Sequence, residues 1–116
     1  MKLSHIISLL NADILVGQAV DDIEIDSAFG SDMMSDVLAF DVENTLLLTG
    51  LINQHVIRTA ELLDVKSVLF VRGKTIPNEI IEQARNAGIC LLHTDKTLYV
   101  SCGILYNSGL PGCKRR

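Results

Sequence analysis

The most regular signal in the chain is a change of hydrophobic rhythm near residue 44. Before it, Leu3, Ile6, Ile7 and Leu10 recur at i, i+3, i+4 and i+7, which predicts a first helix with one apolar stripe. Ile14-Leu15-Val16-Gly17 reads as a short strand. Asp22-Ile23-Glu24-Ile25-Asp26 alternates strictly and predicts a strand with one wet face. Phe29-Gly30-Ser31 is expected to turn the chain. Ser31 then caps a short helix with Asp32 in its first turn and Met33, Met34, Val37 and Leu38 on its inner face.

After residue 44 a unit repeats three times. Thr45-Leu46-Leu47-Leu48, Ser67-Val68-Leu69-Phe70-Val71 and Ile89-Cys90-Leu91-Leu92 are apolar runs without polar alternation. Strands of that kind are buried on both faces, as in parallel sheets. Each runs into a polar or glycine-containing turn, and helices are expected near 52–64, 78–87 and 96–107. Pro77 suits a helix start, Gly88 a helix end, and Thr94 a cap for the last helix. The fold class is therefore α/β: a parallel βαβαβα layer in the C-terminal half, with a smaller N-terminal helix and edge strands.

Composition narrows what such a domain does. At 116 residues with 48% apolar content, the chain has a core without needing a metal or disulfide staple, so no cofactor is implied. One domain is expected over 1–110, with 111–116 as a flexible basic tail. No apolar run nears the roughly 20 residues of a membrane span. The first residues are periodic and unlike a signal peptide, so a cytoplasmic location is expected. Three cysteines without regular spacing argue against a disulfide framework. Cys90 and Cys102 are expected as buried thiols and Cys113 as an exposed one.

Charge excludes one further class. The net charge is 10 − 14 = −4, and three of the cations are Lys114, Arg115 and Arg116, leaving 7 − 14 = −7 for the rest. With no clustered Lys or Arg in the body, no Trp, three Phe and two Tyr, a nucleic-acid surface is not supplied.

Candidate chemistry follows from the strand order. Parallel sheets bind ligands beyond the carboxyl ends of their strands, where free N–H groups and helix N-termini face outward. Thr49-Gly50, Arg72-Gly73-Lys74-Thr75 and His93-Thr94-Asp95 are thus expected along one edge, suited to an anion such as a phosphate. The alternative is that short βα turns simply favour Gly, Thr and Asp. Gly73-Lys74-Thr75 is not a P-loop: the glycine required five residues before Gly73 is Val68, inside a strand, and Pro77 removes an N–H. Cys90 and His93 point to opposite faces of their strand and no second pair completes a zinc site. His5 and His55 read as surface residues. Asp21, Asp22, Glu24 and Asp26 are explained by alternation better than by a cation site. No nucleophile has an evident paired base, so the chain is not expected to be an enzyme.

The order of these turns resembles that of the DRTGG domain family. The matching stretches are Leu48-Thr49-Gly50, Val71-Arg72-Gly73-Lys74 with Pro77, and Thr94-Asp95-Lys96-Thr97, and the resemblance spans residues 1 to about 110. It implies a regulatory module, of the kind found beside nucleotide-binding CBS pairs and in extended phosphotransacetylases, similar in fold to the non-kinase domain of HPr kinase/phosphorylase. It also implies self-association as a homodimer and a protein partner encoded nearby. The implied ligand residues, for a nucleotide or phosphorylated metabolite, are Thr49, Gly50, Asn53, Arg72, Gly73, Lys74, Thr75, Thr94, Asp95 and Thr97. The chain departs from the family where Asp-Arg follows the first Thr-Gly, having Leu51-Ile52-Asn53, and keeps only Gly73 of the second motif. Three functions compete on this basis: a regulatory adaptor, a sensor of a small anion, and, least supported, a phosphotransferase.

Overall fold

The computed structural model describes residues 1–17 and 20–116. Its elements run α1 (Leu3–Leu10), β1 (Asp13–Val16), a 3-10 turn (Val20–Asp22), β2 (Ser27–Gly30), α2 (Met34–Val37), β3 (Thr45–Thr49), α3 (Gln54–Leu62), β4 (Ser67–Phe70), α4 (Asn78–Ala87), β5 (Cys90–His93) and α5 (Leu98–Asn107). The sheet order is β1-β5-β4-β3-β2. β2 through β5 are mutually parallel, and β1 closes one edge antiparallel to β5.

The uninterrupted apolar strands have the predicted cause. Alternate residues feed two separate cores. Leu47, Val68, Phe70 and Leu91 pack against α2, α3 and α4 on one face. Leu46, Leu48, Leu69 and Leu92 pack against α1 and α5 on the other. All of them are essentially excluded from solvent, so a polar residue at any would sit in one core or the other. The α1 stripe behaves as its spacing requires, with Leu3, Ile6 and Leu10 fully buried. Gly88 ends α4 in the left-handed conformation (φ 72°), its N–H closing on Ala84 and Arg85 carbonyls.

The N-terminal half and the C-terminal segment depart from expectation. The alternating segment is not the strand: residues 20–22 form a 3-10 turn, and 23–25 are held by Met1 to Leu3. Leu3 N–H donates to Ile23, Ile25 N–H donates to Met1, and only a single bridge joins Lys2 and Glu24. Ile25 is buried and Glu24 exposed as alternation demands, but the burial is against α1. The strand is instead 27–30, where a turn was expected. Ser27, Ala28, Phe29 and Gly30 pair in register with Thr45 to Leu48. Small residues suit it, because α5 crosses closely: a Cβ on Gly30 would lie 2.6 Å from the Cys102 sulfur.

Met33 and Leu38, expected inward, are 62% and 46% exposed. A one-turn helix presents only one apolar stripe, and Met34 and Val37 occupy it. Ser31 accepts from Met33 N–H at 3.0 Å, a local turn that ends before α2 begins. Finally, 111–116 does not run loose into solvent. Ala28 N–H donates to Pro111, Asp41 N–H to Lys114, and Arg116 N–H to Ala39. The Arg115 guanidinium lies 5.8 Å from the Phe40 ring centroid. Cys113 is half-buried, its sulfur 3.3 Å from Ser27 Oγ and 3.4 Å from Thr45 Oγ1. The segment thereby covers part of the outer edge of β2, which would otherwise present unpaired backbone groups.

Candidate functional site

Because β3, β4 and β5 are adjacent and parallel, their three exits stand side by side. The sequence residues do meet there. Several of them have hydrogen-bond partners within the fold, and others face solvent.

The β3 exit holds a carboxylate of the chain itself. Asp32 Oδ1 accepts from Gly50 N–H at 2.7 Å and from the Thr49 hydroxyl at 3.2 Å. That hydroxyl also accepts from Leu51 N–H, and Thr49 is fully buried. Asn53 begins α3 as its N-cap, Oδ1 accepting from Val56 N–H at 3.1 Å. At the β4 exit, Arg72 and Gly73 both adopt left-handed backbone (φ 70° and 63°). The turn is stitched to its neighbour: Arg72 N–H donates to Lys96 and Gly73 N–H to Thr94. The Arg72 guanidinium donates to the Gly50 carbonyl at 3.0 Å and packs on Gly50, where a Cβ would meet it at 2.4 Å.

At the β5 exit, Thr94 is 1% exposed and its hydroxyl donates to the Leu10 carbonyl at 2.8 Å. It ties β5 to the end of α1 and does not cap α5. That cap is Thr97, accepting from Val100 N–H at 3.3 Å. Asp95 is exposed beside Gly73, whose added Cβ would come within 2.8 Å of Asp95 Oδ1. Of the ten predicted residues, Thr49, Gly50, Asn53, Gly73, Thr94 and Thr97 thus have their polar groups engaged within the fold. Arg72, Lys74, Thr75 and Asp95 keep groups facing solvent. His93, next in line, lies in β5 with Nδ1 3.6 Å from Asp13 Oδ2. Among the described residues no three His, Cys, Asp or Glu side chains are grouped so as to hold a metal ion. Among the described residues no helix is long and apolar enough to cross a membrane.

A concavity of about 710 Å³ lies elsewhere, along α5. Tyr99, Gly103 and Tyr106 line it from the helix, Gly30 from the β2 edge and Pro111 from the C-terminal segment. α5 packs against α1, β2 and β3. Ser101 and Leu105 are its buried positions, yet the outward side is also apolar: Tyr99 is 88% exposed, Tyr106 76% and Val100 45%. A helix apolar all round is ordinarily buried all round, and this one is not. Its composition held a usable signal. From Thr97 to Cys113 there is no Asp, Glu, Lys or Arg, in a chain that is 21% charged. Cys102 is among the residues lining the concavity, half-buried, and desolvation raises the pKa of its thiol.

The layered sheet and its helix placement define a mostly parallel α/β fold. A solved structure shares it: the CBS and DRTGG domains of the regulatory region of Clostridium perfringens pyrophosphatase, complexed with its activator diadenosine tetraphosphate. It superposes over 98% of this chain with a TM-score of 0.69 at 18% identity. The chain spans half the length of that one. No family model matches the sequence, and no curated protein does.

Proposed function

We propose that this chain is a non-catalytic regulatory module that works by contacting another protein surface through the outer side of α5. The observation that carries the reading is the uncharged, tyrosine-bearing face left open on that helix. Exposed contiguous apolar surface on a small domain marks an interaction site, and tyrosine is among the residues enriched in interface centres. The regulatory region to which the fold is similar supports the same class of role. The rim adds to it, because six of its ten candidate residues hold the turns together.

The test is photo-crosslinking with p-benzoylphenylalanine in place of Tyr99 or Tyr106, in cells that make the protein, with each adduct identified by mass spectrometry. The reading expects an adduct with one defined polypeptide, be it a copy of this chain or another protein. Absence of any adduct at both positions sinks it.

A second reading, a sensor of a nucleotide or phosphorylated metabolite, is favoured by Arg72 and Lys74. Both are exposed at the strand exits, and the similar regulatory region was solved with a dinucleoside tetraphosphate bound. A ligand at 100 times its Kd adds roughly 2.7 kcal/mol of stability. A thermal-shift panel of nucleotides and sugar phosphates should then show a rise that Lys74→Ala removes. A flat panel, or a rise indifferent to Lys74, eliminates this alternative.

A further inference from the structure

Resting on the contact reading above, we infer that the partner's contacting segment is an extended strand of a different polypeptide. It pairs with the β2 edge at Gly30 and lays uncharged side chains along α5.

The two edges of the sheet are finished differently. β1 carries the exposed Asp13, and its register with β5 shifts between Ile14 and Val16. A charge and a break in register are the usual means of keeping a foreign strand off an edge. β2 has neither. Ser27-Ala28-Phe29-Gly30 holds no charge and no proline, and it pairs with β3 without a shift.

Half of the β2 edge already receives an extended segment, the chain's own. Ala28 N–H donates outward to the Pro111 carbonyl at 2.9 Å, and Ala28 and Gly112 form a parallel bridge. The segment then leaves β2 to bond with Ala39 and Asp41, so its cover stops short of Gly30. Backbone groups alternate in direction along a paired strand. Ser31 N–H points inward to the Leu48 carbonyl, which leaves Gly30 directed outward like Ala28. Gly30 is exposed, and among the described residues no group outside the sheet meets its N–H or carbonyl. A strand supplies both missing partners. A helix, whose backbone groups bond to one another, supplies neither.

The open half of the edge borders the concavity. Gly30 lines it from the strand, and Tyr99, Gly103 and Tyr106 line it from the helix. A strand added at Gly30 therefore turns every second side chain toward α5. Tyr99 and Tyr106 are seven positions apart, about 10 Å along the helix axis. That gap admits one side chain, over Gly103, where an added Cβ meets nothing within 4 Å. No Asp, Glu, Lys or Arg occurs from Thr97 to Cys113, so an ionised residue in the facing row would lose water and gain no counter-charge. The geometry therefore selects an extended segment with an apolar anchor residue and uncharged residues two positions to either side.

Panning phage-displayed random linear peptides against the purified full chain supplies the probe. Binders should share the apolar anchor with uncharged residues at alternate positions. In isotope-labelled protein, the Gly30 amide should become protected from hydrogen exchange when the selected peptide is added. Methylating the peptide's backbone nitrogens one at a time should weaken binding at least about tenfold at the position that donates to Gly30, and within about twofold at its two neighbours. Gly103→Leu fills the gap between the tyrosines with a side chain that has free space in the fold. Helix propensity favours the change, so the melting temperature should hold or rise while the peptide's Kd increases at least about tenfold. Tyr99→Ser, at an exposed position, should weaken it comparably. Panning that yields no binder overturns the inference. So does a binder that leaves Gly30 exchange unchanged, tolerates methylation at every nitrogen, or binds Gly103→Leu or Tyr99→Ser as tightly as wild type. The crosslinking experiment separates this from failure of the contact reading. An adduct that maps to a helix of its partner, or to a second copy of this chain, keeps the contact and removes the strand. No adduct at either tyrosine removes both.

Discussion

Replacing Thr94 by valine exchanges a hydroxyl for a methyl of nearly the same shape, at a position that is 1% exposed. In the wild type that hydroxyl donates to the Leu10 carbonyl, 84 residues away in sequence, and accepts weakly from Lys96 N–H at 3.4 Å. Leu10 is fully buried at the end of α1. Valine leaves its carbonyl without that partner in an apolar setting, which costs about 1–3 kcal/mol. Against a total of roughly 5–15 kcal/mol that is a substantial loss. At about 2.1 cal/mol/K of unfolding entropy per residue, it lowers the melting temperature by about 4–12 °C. Thr94→Ser keeps the hydroxyl, loses one buried methyl, and should fall between the two. Urea unfolding monitored by circular dichroism measures all three, and an unchanged slope with a lower midpoint shows that only stability moved. Valine as stable as threonine would refute the tie between β5 and α1. It would also restore Thr94 as a residue free to meet a ligand at the rim.

Four other outcomes follow from the same geometry. Asn53→Ala removes the α3 N-cap and should cost about 1 kcal/mol by the same urea assay. Gly73→Ala places a Cβ at φ 63° and 2.8 Å from Asp95 Oδ1. It should cost about 1–2 kcal/mol of left-handed strain, with Asp95→Ala in the same chain relieving only the contact part. Burial pushes the Cys90 thiol from its ordinary 9.0 up to about 11. Above pH 9 the unfolded chain therefore releases this proton while the folded chain keeps it. Stability then falls as pH rises from 9 toward 11, at up to about 1.4 kcal/mol per pH unit. Cys90→Ala should flatten that decline. In native protein at neutral pH, iodoacetamide should label half-exposed Cys113 and leave Cys90 unmodified until the chain unfolds.

The interior was legible along the chain because burial on both faces leaves a local mark. Leu46-Leu47-Leu48 and Leu69-Phe70 could belong only to strands with a core above and a core below, and they do. Helix ends were read almost as well, since Gly88 carries its cause in its own backbone freedom. The candidate rim was legible in location, while the contacts its residues make within the fold were not. Gly50, Arg72 and Thr94 do converge. Whether a hydroxyl or N–H at such a place is free depends on what stands opposite, and opposite them stand Asp32, Lys96 and the end of α1. None of those pairings leaves a trace in local spacing.

The edges of the sheet were the least predictable part. A five-residue alternation lost to Ser27-Ala28-Phe29-Gly30, whose composition favours a strand weakly, because β3 offered those residues a full register and Met1 to Leu3 engaged the others. Sequence alone determined the α/β class, the three central strands and the helices between them, since each rests on periodicity and caps within a few residues. Tertiary structure alone decided which segments took the two edges, which rim groups stayed free, and that the second apolar side of α5 faces outward. Those outcomes depend on partners tens of residues distant, where competition for a hydrogen bond or a packing surface is resolved only once the chain has closed on itself.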